Sequence, residues 1–187
     1  GEPFLHPHLQ QIIDSVRQTW RKVYVKLYTN GFRLKPIEGV DELNISRCHD
    51  DTAKNNELYR ATKPVDLAET LKFFRPMVPK IRLQVTLLRG YIDSPETAVA
   101  LIERQPLVDT FVFRPLFDKC GLEKDKYVDF KVEHPKAKND LTGDYCDTRP
   151  ILATDGILYH DWSFKQPLVS IAAVNQSLDT FRPEAKR

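Results

Sequence analysis

The chain has 187 residues, 41% of them apolar, with 28 basic and 26 acidic side chains and a formal charge of +2. That length suits one domain with a small appendage, and the near balance of charge offers no electrostatic footing for nucleic acid or an anionic membrane. No apolar run reaches the length of a membrane span, and no signal-peptide pattern precedes the first helix. The cysteines, Cys48, Cys120 and Cys146, are odd in number and widely spaced, which reads as free thiols in a reducing, cytoplasmic setting.

A turn-rich start leads into a predicted helix over residues 8–21, with Leu9, Ile12, Ile13, Val16 and Trp20 as its buried stripe. Residues 23–28 read as the first strand, ended by Thr29, Asn30 and Gly31, the glycine being free to take positive φ. Residues 42–46 form a second short strand, and Arg47, Cys48, His49, Asp50 and Asp51 a polar loop after it. Those adjacent His, Asp and Cys side chains rarely close a metal site without a distant partner, so the loop is read as solvated. Helices follow over residues 52–60 and 65–74, the second with Leu67, Ala68, Leu71 and Phe74 inward, stopped by Pro76 and Pro79.

Residues 81–88 are the central strand, apolar at nearly every position past Leu83, a pattern that suits a parallel strand covered on both faces. Ser94 can cap the next helix, Pro95 fits its first position, and it runs to Arg104. Residues 110–113 make a fourth strand, closed by Arg114 and Pro115. The alternation predicts an α/β fold with a mainly parallel sheet and right-handed crossovers. The Thr29-Asn30-Gly31 turn, Ser46 and Arg114 all fall at C-terminal strand ends, where such folds build their sites. Beyond residue 116 the character changes. Residues 127–133 alternate as a strand would, residues 135–146 read as a polar, mobile stretch, and Asp155-Gly156 between apolar runs reads as a β-hairpin over residues 151–160.

These strand-end motifs, in this order, resemble those of the radical S-adenosylmethionine (SAM) enzymes. Gly1, Glu2 and Pro3 with Leu5, His6 and Pro7 resemble the family's G-G-E-P-L-L-H-P segment, minus its first glycine. Residues 25–31 resemble the next strand and its T-N-G end; residues 40–46, 83–90 and 109–114 resemble the strands that follow. The resemblance spans about residues 1–116 and implies a partial (βα) barrel, an incomplete TIM-like barrel, with residues 117–187 as a C-terminal extension carrying the β-hairpin. It also implies SAM and a four-iron four-sulfur cluster as cofactors of the intact enzyme.

Carried over by the resemblance, Gly1 and Glu2 would face the methionine amino group, and Thr29 and Asn30 would lie beside the cofactor. Ser46 and Gln84 would bond its carboxylate or ribose hydroxyls, and the main chain at Val112, Phe113 and Arg114 would flank the adenine. No catalytic residue and no metal ligand is assigned. The family's C-x-x-x-C-x-x-C loop has no counterpart here, so the chain is expected to be the C-terminal part of such an enzyme, inactive alone, holding no cluster and binding SAM weakly. The substrate is not legible. Without two preceding strands, the 23–28 strand would leave an unpaired edge and an apolar barrel interior, and self-association is expected there. Two other readings stand beside this one. A non-catalytic βα scaffold that binds a protein partner would explain the missing cysteines, and a phosphate-binding α/β domain is disfavoured because no G-x-G-x-x-G or G-x-x-x-x-G-K-[ST] motif occurs.

Overall fold

The computed structural model describes residues 2–20, 22–116, 124–140, 151–152, 157–159 and 167–170. The chain divides into two compact units, Glu2–Gly143 and a second formed by Gly1 with Asp144–Arg187.

The first unit is an open α/β sheet of five parallel strands, as expected of a partial βα barrel. After a 3-10 turn at Pro3–Leu5, the elements are α1 (Leu9–Thr19), β1 (Lys26–Thr29), β2 (Glu42–Arg47), α2 (Thr52–Tyr59), α3 (Leu67–Phe74), β3 (Lys80–Leu87), α4 (Pro95–Arg104), β4 (Thr110–Pro115) and β5 (Ala137–Asn139). The strands lie side by side in chain order, β1-β2-β3-β4-β5. Each crossover therefore moves one place in the same direction, and among the described strands β1 and β5 are the two edges. The helix starts are set locally. Ser94 and Thr97 form a capping box for α4, the Asp66 carboxylate accepts from Ala68 N–H at 2.8 Å at the start of α3, and Asp51 accepts from Lys54 N–H at 2.8 Å at the start of α2.

One face of the sheet makes the core. Leu43, Ile45, Ile81, Leu83, Val85, Leu87, Phe111 and Phe113 point to it and pack with Leu67, Leu71 and Phe74 of α3 and Ala98, Leu101 and Ile102 of α4. The other face is polar. In β3 the alternates Lys80, Arg82, Gln84 and Thr86 are only half-buried. The apolar run expected along β3 is replaced by strict period-two alternation, although Glu42, Asn44 and Val112 of the neighbouring strands are buried on the polar side. The interior expected to be apolar is instead charged.

Several boundaries move. The first strand starts at Lys26 rather than Val23, because the Val25 carbonyl is spent on Asp41 N–H (2.9 Å) and its own N–H on the Asp41 carboxylate (2.6 Å). Ile12 and Trp20 were expected in the core; they are 41% and 60% exposed, and Ile13 alone of the α1 stripe is fully buried. Residues 127–130 and 131–133 form no strand. The sheet instead takes Ala137–Asn139, inside the stretch read as mobile, so its fifth strand lies beyond residue 116. Asn139 makes the neighbouring segment its partner through its side chain: Oδ1 accepts from Val132 N–H at 2.8 Å and Nδ2 donates to the Val132 carbonyl at 3.0 Å.

In the second unit, β6 (Ile151–Leu152), β7 (Ile157–Tyr159) and β8 (Pro167–Ser170) form an antiparallel sheet in the order β6-β7-β8. Leu152 pairs with Leu158 across the hairpin read from the sequence. Its Asp155-Gly156 turn lies outside the described residues, and β8 had no sequence expectation.

Candidate functional site

The C-terminal end of β1 and the N-terminal segment are tied by one carboxylate. Glu2 Oε1 accepts from Thr29 Oγ1–H at 2.7 Å and from Phe4 N–H at 3.2 Å, and Oε2 accepts from Asn30 N–H at 2.9 Å. The turn is then locked by its own side chains: Thr29 Oγ1 accepts from Gly31 N–H at 3.0 Å and Asn30 Oδ1 from Phe32 N–H at 3.0 Å. Gly31 has φ +70°, the left-handed region that favours glycine. A carboxylate offers about four lone-pair sites, and three are used here, so Glu2 keeps one acceptor site, on Oε2, for a further donor.

Beneath the turn, the Gly31 carbonyl accepts from Thr70 Oγ1–H at 3.0 Å and from Arg47 Nη2 at 3.4 Å. Arg47 is 2% exposed, donates also to the Val65 carbonyl at 3.1 Å, and lies 4.2 Å over the Phe32 ring. Burial pushes its pKa down to about 10. The loop after β2 is held by internal contacts. Cys48 N–H donates to Asn55 Oδ1 at 2.9 Å, and burial pushes the Cys48 thiol up to about 11, the opposite of what a reactive or metal-binding thiol needs. Cys120 and Cys146 lie outside the described residues. His49 Nδ1 accepts from Asp51 N–H at 2.9 Å, and Arg104 grips Asp50 at 2.7 and 3.1 Å. Burial pushes the Asp50 carboxyl up, but the Arg104 hydrogen bond and charge outweigh it and hold it below its usual range. Among the described residues no group of three His, Cys, Asp or Glu side chains could hold a metal ion. The described residues therefore do not fit an iron–sulfur cluster.

The polar face is ordered by register. Lys26, Glu42 and Lys80 form its first row, Tyr28, Asn44, Arg82 and Thr110 the second, and Ser46, Gln84, Val112 and Lys138 the third. Of the residues named from sequence, Ser46, Gln84 and Val112 are thus neighbours on one face. Thr29 pairs with Ile45 and faces the helices, so it joins the site through Glu2 and not across the sheet. Phe113 is buried in the core beside Phe111, and its carbonyl accepts from Asp140 N–H at 2.9 Å. Arg114 Nε lies 2.6 Å from Asp140 Oδ2. Gly1 lies outside the described residues.

Sequence reasoning missed the centre of this face. Glu42 is 1% exposed, with Lys80 Nζ at 3.0 Å, Arg82 Nε at 3.1 Å, Lys26 Nζ at 3.7 Å, Tyr24 Oη at 3.2 Å and Asn44 Nδ2 at 3.2 Å. Burial pushes the Glu42 carboxyl up, but the Lys80 hydrogen bond and the charges of Arg82, Lys26 and Lys80 outweigh it and hold it down. The available signal was a charged residue at the start of each of three strands.

No family model and no curated protein matches the chain. Among solved structures it is similar to one described as TYW1 with a lysine-pyruvate adduct bound, at 21% identity and a TM-score of 0.49, covering 67% of this chain and 42% of that one. The chain thus spans less than half the length of that protein. A likeness at this level assigns neither a family nor a function. No described helix is long and apolar enough to cross a membrane.

Proposed function

We propose that the chain is part of a radical SAM enzyme, contributing strands of its partial barrel and polar groups of its SAM site. The observation that carries this is the Glu2 carboxylate on Thr29 and Asn30: the two segments that resemble the family's G-E-P and T-N-G motifs meet in space across 27 and 28 residues of chain. Glu2 would offer its remaining acceptor site to the methionine ammonium. Ser46 and Gln84, adjacent in register, would take the carboxylate or ribose hydroxyls, and Val112 stands next in their row. SAM held at a cluster would supply radical chemistry; Glu2, Ser46 and Gln84 would only bind and orient it. The cluster would have to come from residues beyond those described, and this chain alone is expected to be inactive. The test is to express the chain together with whatever coding sequence precedes Gly1, reconstitute it anaerobically with iron and sulfide, and measure 5′-deoxyadenosine under reduction. Product and about four irons per chain are expected. No cysteine triplet upstream and no product would overturn the reading.

A second reading, a protein-interaction module, is favoured by the first edge of the sheet. No described strand pairs with the outer side of β1. Leu5, Ile12, Trp20, Tyr24 and Tyr28, all before or within β1, are large apolar side chains left exposed. Unpaired strand edges recruit other strands, and a second copy of this chain carries the same edge. The chain is therefore expected to self-associate through β1, its mass by light scattering rising with concentration and falling back when Tyr28 is replaced by lysine. A constant monomeric mass would remove this reading.

A further inference from the structure

The molecule as a whole is almost neutral, yet its polar sheet face is not. Among the described residues, register places five cations on it, Lys26, Lys80, Arg82, Arg114 and Lys138, against one strand carboxylate, Glu42. Asp140 answers Arg114 from just past β5. Around Glu42 the imbalance is local: one carboxylate has three cations within 4 Å. Burying charge is costly unless it is compensated, so an excess of one sign in a half-buried setting marks where an opposite charge would be stabilised.

Two side chains at the middle of the face are left incomplete. Arg82 has only 19% of its side chain exposed, and its Nε lies near Glu42 without hydrogen-bond geometry. Asn44 is 0% exposed; its Nδ2 donates to Glu42, but its Oδ1 accepts from nothing. Since Arg82 and Asn44 are register partners, a guanidinium whose ion pair to Glu42 lacks hydrogen-bond geometry and a buried acceptor without a donor lie side by side. Ser46 and Gln84 stand in the next row toward the C-terminal strand ends.

We propose that this face takes a small oxyanion-bearing ligand, its carboxylate or phosphate on Arg82 with Lys26 and Lys80 behind, and a hydroxyl, amine or water donating to Asn44 Oδ1. A planar guanidinium fork suits either oxyanion, and Glu42 acts as the internal counter-charge that keeps the cations in place while the site is empty of ligand. Resting on the radical SAM reading, this names the substrate class: a small molecule with an anionic group that enters the sheet's polar side beyond the cofactor groups Ser46 and Gln84.

The test is titration of the 187-residue chain with inorganic phosphate and, separately, with acetate, at constant ionic strength, by calorimetry and thermal shift. Saturable binding of at least one is expected. Arg82→Gln should weaken it about tenfold or more, the value of one charge-assisted hydrogen bond, and Arg82→Lys less. Glu42→Gln, checked as folded by its own melt, should tighten it, because the competing carboxylate is gone. Lys35→Gln, an exposed cation off this face, should leave it unchanged. Phosphate alone binding would identify a phosphorylated ligand, acetate alone a carboxylate one. No binding of either, or equal loss in Arg82→Gln and Lys35→Gln, overturns the proposal. Its failure is separate from that of the radical SAM reading, which turns on the upstream cysteines and 5′-deoxyadenosine.

Discussion

Replacing Glu42 by alanine is expected to destabilise the first unit by about 2–4 kcal/mol at pH 7, among the largest single-site effects in this chain. The variant leaves Lys26, Lys80 and Arg82 facing one another with no anion between them. It also removes the acceptor for Tyr24 Oη and Asn44 Nδ2. The cations are partly exposed, so water screens them and keeps the cost below that of a fully buried charge. The pH dependence gives a second check. The folded-state pKa of Glu42 lies below its ordinary value of 4.5. Its contribution is therefore fully present above that value and is lost as pH falls through the depressed one. Chemical unfolding from pH 7 to pH 3 should show a shallower acid loss in Glu42→Ala than in the parent, with the Asp50–Arg104 pair among the groups that supply what remains. Equal stability at pH 7 would mean that the three cations are solvated independently.

Gly31→Ala is expected to cost about 2–4 kcal/mol, from two separate causes. A side chain at φ +70° is strained by about 1–2 kcal/mol. The added Cβ would also meet Thr70 Cγ2 at 3.0 Å, Ile45 Cγ2 at 3.2 Å and Arg47 Nη2 at 3.4 Å, crowding that adds about 1–2 kcal/mol. Gly90 separates the causes. It has φ +82° but nothing within 4 Å of its would-be Cβ, so Gly90→Ala should cost only about 1 kcal/mol. If the two variants melt alike, the buried packing of Thr70 and Arg47 under the Thr29–Gly31 turn contributes nothing.

What could be read from the chain was what residues settle with near neighbours. Ser94-Pro95 starts α4, Asp66 starts α3, and Pro76 and Pro79 end it, because a cap or a missing N–H acts within one turn of backbone. The strand-helix alternation gave a parallel α/β sheet for the same reason. Legibility ended where distant segments compete for the same groups. Asp41 takes the N–H of Val25 and the guanidinium of Arg17, and so shortens β1. Asn139, more than a hundred residues from β1, completes the sheet by mimicking a strand toward Val132.

The candidate site divides along the same line. Thr29, Asn30 and Ser46 were legible as residue types at strand ends, Gln84 as an inward mid-strand residue and Glu2 in the turn-rich start, and Glu2 does reach Thr29 and Asn30. That Thr29 faces the helices while Ser46 and Gln84 share the opposite face is decided by register, since one step along a strand reverses the side. The charge at the centre of the sheet shows this most plainly. By itself the sequence determined a nearly neutral α/β chain, with its helix ends and the turn glycine at Gly31. Only the tertiary structure put Lys26, Lys80 and Arg82 around Glu42, because parallel pairing aligns the starts of strands that lie 16 and 38 residues apart.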